Sequence, residues 1–347
     1  MREAMYGWLD RWLRDKGDGR PVPEPAMTLE DSQTLRCYPD GPSRPKTIVT
    51  IPEFALREGR ARLAELPKAP DHPQHWEADA MRIRGALGDL VGPTPAPPAF
   101  DTNRPGLRLQ TEPGIVVRGQ SFGVDPHLHR GREVLILRHE GEARFRDPIV
   151  SAFTDSGRGV ITVDLRATGR AKPESGTVHG LTDHNEAEWA LWIGRPMLGQ
   201  WVRDTVALID ANGAIRSAVD LVGSGPFGLV ALIAAGLRPG RVERVGLVGP
   251  LVSFVGLDAT PWAKLPMGLI VPGLLETADV GHLAALIAPA KLVIAGGVEP
   301  SGEPVTPARL AEAFAFTRSV YTMLKAGDRL TLLNSTDLAG FSRAFAS

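Results

Sequence analysis

The chain has 347 residues, of which 43% are hydrophobic and 23% charged, a balance close to that of ordinary globular proteins that excludes a disordered or fibrous chain. Its 39 Lys and Arg against 40 Asp and Glu lack the basic surplus on which a dedicated nucleic-acid binder depends. A lone cysteine, Cys37, makes neither an internal disulfide nor a cysteine zinc site.

Met1 to Leu13 carries charges where a secretory leader needs an apolar run, and no run of about 18 apolar residues is present to span a bilayer. The expectation is a soluble chain without an address. Met5, Trp8, Leu9 and Trp12 recur at helical spacing, which predicts a short amphipathic helix over Arg2–Leu13 whose tryptophans pack. Gly17–Pro25 reads as a linker, Pro52–Leu66 and Trp76–Leu90 as helices, and the proline-dense Gly92–Pro105 as a boundary. The expected division is a helical extension with a proline-rich linker over 1–105 and a main domain over 106–347. The latter suits one α/β unit of roughly 200–250 residues.

In the main domain, short β-branched runs alternate with helix-length segments. Strands are expected at Leu107–Gln110, Ile115–Val117, Val134–Leu137, Val160–Val163, Val219–Val222, Val245–Val248, Leu292–Ala295 and Leu330–Leu333. Helices are expected at Ala143–Ser156, Pro196–Asp210, Phe227–Ala235 and Pro307–Lys325, with one more at the C-terminus. The first two strands lie close enough for an antiparallel hairpin, and the later ones are spaced for crossover helices. This predicts a mostly parallel, doubly wound sheet flanked by helices, with a helical N-terminal extension.

The most informative segment is Val219–Ala235, an apolar strand, a glycine-rich turn and an apolar helix. As Gly223-x-Gly225-x-x-Gly228 it matches the dinucleotide fingerprint, whose glycines admit a pyrophosphate to a helix N-terminus. Against that reading, the motif follows several earlier strands, and the next strand ends in Gly249-Pro250 without the acid that grips a ribose. As a nucleophile elbow, G-x-S-x-G, the turn presents its reactive residue at a sharp tip and needs small neighbours. Position 225 suits the tip better than Ser224, because centring on Ser224 puts Val222 and Pro226 at the crowded places. Residue 225 is glycine, with no atom to attack a carbonyl. Pro226 has no N–H to donate to an oxyanion, and Phe227 is expected to crowd the turn.

With these parts in place, Val134–Leu333 resembles bacterial α/β hydrolases of the acetylxylan-esterase-like group. The matching pieces are Leu135–Gly141 (LILRHEG), Val163–Gly169 (VDLRATG), Gly194–Gln200 (GRPMLGQ), the elbow GSGPFG, and Leu292–Pro300 (LVIAGGVEP). The resemblance implies a carboxylic-ester hydrolase scaffold in which the Leu135–Gly141 loop supplies an oxyanion donor and Glu299 stands at the triad-acid position; a solvated loop carboxylate explains Glu299 equally. Its triad histidine belongs after the last strand, near Asn334–Phe341, where there is none; the last histidine, His282, precedes the acid. The stretch REAMYGW near the start resembles a piece that follows the catalytic histidine in two-domain relatives. On that likeness the chain is the downstream domain of a secreted tandem esterase, with the active esterase domain upstream.

Other candidates have plainer readings. His127 and His129 form an H-x-H pair that needs a third ligand to hold a metal, and a solvated hairpin loop explains them as well. The insertion Ala171–Arg195, with His179, Asp183 and His184, follows a strand aimed at the site and is expected to cover the pocket mouth. Trp189 and Trp192, three apart, share one helical face and suit either core packing or stacking on sugar rings. Trp262, in a Pro/Gly-rich lid-like region, has the same two readings. The leading expectation is an esterase-like domain without the nucleophile or the histidine, non-catalytic, binding a carbohydrate or a partner domain, with no metal, cofactor, nucleic acid or membrane. The alternatives are an active ester hydrolase using Ser224 with His139 or His184 as base, and a dinucleotide-binding protein.

Overall fold

In the computed structural model the described residues are 1–40, 43–92, 107–123, 133–138, 147–173, 178, 183–215, 218–259 and 265–347. The chain forms two compact units, Met1–Thr50 and Ile51–Ser347. Helices α2 (Ile51–Glu65) and α3 (Pro73–Val91), expected in the extension, belong to the second unit.

In the first unit, α1 (Arg2–Leu13) packs through a glycine. A Cβ on Gly7 would lie 1.8 Å from the Arg20 carbonyl oxygen, so the chain can fold back along the helix only here. The return is held by the Val22 N–H on the Glu3 carbonyl (2.9 Å) and by Glu24, which accepts from Arg2 and Tyr6. Gly17–Pro25 is therefore a fold-back strap within the first unit. Trp8 and Trp12 do not pack as expected; they are 54% and 66% exposed.

In the second unit eight strands form one sheet: β1 (Leu107–Glu112), β2 (Ile115–Phe122), β3 (Val134–Leu137), β4 (Val160–Asp164), β5 (Val219–Ser224), β6 (Val242–Val248), β7 (Lys291–Ala295) and β8 (Leu330–Leu333). Their order is β1-β2-β4-β3-β5-β6-β7-β8. β2 runs antiparallel to β1 and β4, and every pair from β4 to β8 is parallel. Continuous apolar runs such as Val134–Leu137, buried throughout, are what a strand covered on both faces requires.

One face is covered by α3, α6 (Met197–Ile215), α7 (Phe227–Gly236) and α8 (Val280–Ala285), the other by α4 (Pro148–Thr154) and α11 (Leu338–Ala346). All of α7 is buried, between β5 and β6 on one side and α6 and α8 on the other. Its Leu229, Val230, Leu232 and Ile233 each contribute about 1.5–3 kcal/mol relative to exposure. Opposite, Phe153, Phe341 and Phe345 meet edge-on or tilted at 5.4–6.0 Å over Gly246, where a Cβ would come within 2.6 Å of Phe341.

Two expected helices are corrected. The helix expected over 143–156 is described only as α4 from Pro148, where Asp147 caps it by accepting from the Ile149 N–H (3.0 Å). The segment expected as one helix over 307–325 is two, α9 (Pro307–Ala313) and α10 (Ala315–Met323). They part at Phe314, whose side chain is fully buried and whose backbone leaves helical geometry (φ −103°, ψ 19°). There the Ala313 carbonyl approaches Gly281 of α8 so closely that a Cβ on Gly281 would lie 2.6 Å away.

Candidate functional site

Three adjacent parallel strands leave the carboxyl end of the sheet in the same way. Gly225 after β5, Gly249 after β6 and Gly296 after β7 have φ of 55°, 61° and 62°. Their N–H groups donate to Val248, Ala295 and Leu333 respectively, each at 2.8 Å, so each glycine extends the ladder by one bond and then turns. Left-handed backbone is cheap only for glycine, and Gly225-Pro226 is thus the same strand exit as Gly249-Pro250.

The tip is open as well as bare. A Cβ on Gly225 would have no atom within 4 Å, whereas one on Gly223 would meet the Phe227 carbonyl oxygen at 2.5 Å and the Gly228 Cα at 2.7 Å. A Cβ on Gly228 would lie 2.8 Å from Pro250. The three glycines of the dinucleotide fingerprint are therefore accounted for by a strand exit and two close contacts. Ser224 is the last residue of β5, half-buried and paired in register with Val248. No described imidazole is hydrogen-bonded to it. Phe227 does not crowd the turn: it is buried beneath it, 4.9 Å from the Trp201 ring.

Glu299 follows β7 in a loop tied by a bridge between Val298 and Leu251, and its partner is a cation. Arg309 Nε donates to Glu299 Oε1 at 2.8 Å, both side chains being largely buried. Burial would lower the Arg309 pKa, but the Glu299 carboxylate overcomes it and holds the guanidinium charged. After β8 the chain passes through Asn334, Ser335 and Thr336 to Asp337, which caps α11. The Thr336 methyl lies where it would come within 2.9 Å of a Cβ on Gly296, beside the start of the Glu299 loop.

His282 serves the core. Its ring accepts from the Asp279 N–H, bonds the Pro67 carbonyl and lies 4.1 Å from Phe316. His184 opens α5 (His184–Trp192), and among the described residues Asn185 and Glu188 lie beside its ring. His127, His129, His139, His179 and Trp262 lie outside the described residues. Among the described residues no cluster of three metal-ligating side chains occurs and no helix is long and apolar enough to cross a membrane.

The insertion before α6 is anchored by a residue whose role the sequence did not reveal. Asp183, buried, accepts from the N–H groups of Met267 (3.0 Å) and Gly268 (2.8 Å). Gly268 in turn lies against Trp201, which reaches Phe227 under the elbow. α6 starts at the carboxyl end of the sheet, so α5, just ahead of it, lies at the end where the elbow opens. On α5, Ala187 and Ala190 face inward, while Trp189 and Trp192 are 55% and 73% exposed. The small residues take the packing, and the tryptophans are left outside.

Under the same edge lies an ion cluster. Arg166, just after β4, pairs with Asp204 of α6 and with Glu112 of β1, and Glu112 also pairs with Arg195 and Arg203. Burial would raise the Glu112 pKa, yet the surrounding arginines hold it below its ordinary value. Burial likewise opposes the charge on Arg166, and Asp204 overrides it. Trp201 Nε1 donates to the Arg166 carbonyl at 2.9 Å, joining the cluster to the packing under the elbow.

A mixed eight-stranded sheet in this order, with an elbow after β5 and an acid after β7, defines an α/β-hydrolase-fold protein. No family model matches the chain, and no curated protein matches it in sequence. In structure it is similar to a protein assigned as an acetyl xylan esterase from Bacteroides fragilis, with 14% identity, 84% of each chain covered and a TM-score of 0.64. It is also similar to methylesterase BT1017, at 16% identity and a TM-score of 0.52 over 83% of this chain and 66% of that one.

Proposed function

We propose that the chain is a non-catalytic relative of carbohydrate esterases that keeps the scaffold for binding or for supporting a larger enzyme. The observation that carries this reading is the elbow tip: an open, left-handed position occupied by Gly225 and followed by Pro226. Acyl transfer there needs a nucleophile oxygen and an oxyanion donor on the next amide, and neither exists. Loss of one such donor costs about 10²–10³ in rate, and loss of the nucleophile far more. No histidine occurs over Asn334–Phe341, where the resemblance expects one, and Glu299 is paired with Arg309.

The ligand class follows from α5. Two tryptophans three residues apart, exposed where the elbow opens, offer flat apolar faces to the C–H faces of a pyranose, and the similarity to a protein assigned as an acetyl xylan esterase agrees with a glycan. The test has two parts. The purified chain is expected not to turn over p-nitrophenyl acetate and to take no label from a fluorophosphonate. A labelled serine, or an esterase rate abolished by Ser224→Ala, overturns the non-catalytic reading. Affinity electrophoresis in gels containing xylan or pectin is expected to show retardation that Trp189→Ala with Trp192→Ala removes; retardation unchanged by the pair of substitutions refutes the platform.

A further inference from the structure

At the amino end of the sheet, away from the elbow, two recesses adjoin. One, of about 310 Å³, is lined by Glu243, Arg244, Lys291, Asp328, Arg329 and Ser347. The other, of about 350 Å³, shares Glu243 and Arg329 and has mostly apolar walls, among them Ala235, Val242, Leu286, Ile287 and Pro289. Both volumes are of the order of small-ligand sites, about 300 Å³ and upward.

The cations of the first recess are unequally partnered. Arg244 is drawn to the buried Asp220 (3.2 Å), which also pairs with Arg158. Among the described residues Lys291 Nζ donates to the Ser347 hydroxyl, at 3.1 Å, and Arg329 Nη1 to the Pro289 carbonyl, at 3.2 Å. Among the described residues neither has a carboxylate within ion-pair distance. The two cations at the base of β7 thus have no carboxylate in direct contact among the described residues, and the adjoining cavity is mostly apolar.

We propose that this paired recess binds a small organic monocarboxylate with an apolar body, its carboxylate held by Lys291 and Arg329 and its body in the adjoining apolar cavity. Asp328, which also lines the first recess, disfavours a more highly charged head such as a phosphate. Burial and the neighbouring Arg244 both lower the Lys291 pKa, a repulsion that a bound carboxylate would relieve. The site is independent of the elbow and of any glycan bound near α5.

Phenylacetate is the probe, titrated by calorimetry against the full chain, with phenylacetamide, acetate and inorganic phosphate as comparisons. Saturable binding is expected for phenylacetate, with the amide and acetate weaker by about tenfold or more. Lys291→Met, which keeps the aliphatic stem, is expected to weaken phenylacetate binding about tenfold without moving the melting temperature, and Arg329→Gln to weaken it similarly. Equal affinity for the amide, tighter binding of phosphate, indifference to both substitutions, or no saturation by about 10 mM overturns the proposal.

Discussion

Alanine placed at each elbow glycine in turn tests whether the tip is the open, bare position described above. At Gly225 the new Cβ meets nothing within 4 Å, but φ is 55°. The left-handed conformation costs about 1–2 kcal/mol for a residue with a Cβ. Lost freedom of the unfolded glycine returns roughly 0.4–1 kcal/mol where the native backbone suits alanine, and less here. Gly225→Ala should thus destabilise by about 1 kcal/mol. At Gly223 the Cβ would meet the Phe227 carbonyl at 2.5 Å, the Gly228 Cα at 2.7 Å and the Ala231 Cβ at 2.9 Å. The first two belong to the backbone of the buried elbow helix and cannot rotate away, so the cost should reach or exceed the upper end of the overpacking range, about 3 kcal/mol. Gly228→Ala, against the Pro250 ring at 2.8 Å, should fall between them. Urea titrations with unchanged slopes report these differences as midpoint shifts. If Gly225→Ala costs as much as Gly223→Ala, the tip is not open and the assignment of position 225 is wrong.

Gly225→Ser with Pro226→Ala restores a hydroxyl and an amide but no imidazole; it should fold and remain inactive towards p-nitrophenyl acetate, and a serine-dependent rate would show that a base lies within reach. Arg166→Met leaves Asp204 buried without its main cation and should cost about 3–5 kcal/mol, read from the urea midpoint; a loss under 1 kcal/mol would refute the view that this pair holds the buried charge. Asp183→Ala removes the acceptor of two N–H groups, at about 1–3 kcal/mol, and should speed hydrogen exchange at Met267 and Gly268 before the rest of the unit; uniform acceleration would count against a local anchor. Burial holds the His282 pKa below 6.5, so below that pH the unfolded chain binds a proton that the folded chain refuses. Its effect is nil above about pH 6.5 and increasingly destabilising as pH falls towards the folded value. His282→Gln should flatten that part of the stability profile, and an unchanged slope would assign it to other groups.

How much was legible varies with the range of the interaction. Each strand of the sheet announced itself, because a strand covered on both faces must be a short apolar, β-branched run, and Val134–Leu137 can be little else. The bare tip was legible too, since steric demands two and three residues away are local properties of the chain. Partners were not. Nothing near Glu299 in the sequence marks Arg309 as its counter-ion rather than a histidine, and nothing marks Asp183 as the acceptor for amides more than eighty residues on. The tryptophans misled for a related reason: periodicity assigns residues to a face, but Ala187 and Ala190 supply the packing on α5, and Gly7 does so on α1.

By itself the sequence determined the local facts: which segments are strands and helices, where the chain turns sharply, and that glycine and proline stand at 225 and 226 in the turn after β5. Those depend on residue types within a few positions of one another. The tertiary structure alone decided the strand order, the ion pair between Glu299 and Arg309, the anchoring of the insertion and the exposure of Trp189 and Trp192. Each of these is set by which distant segments compete for the same buried volume or the same charge, and chain spacing does not record that competition.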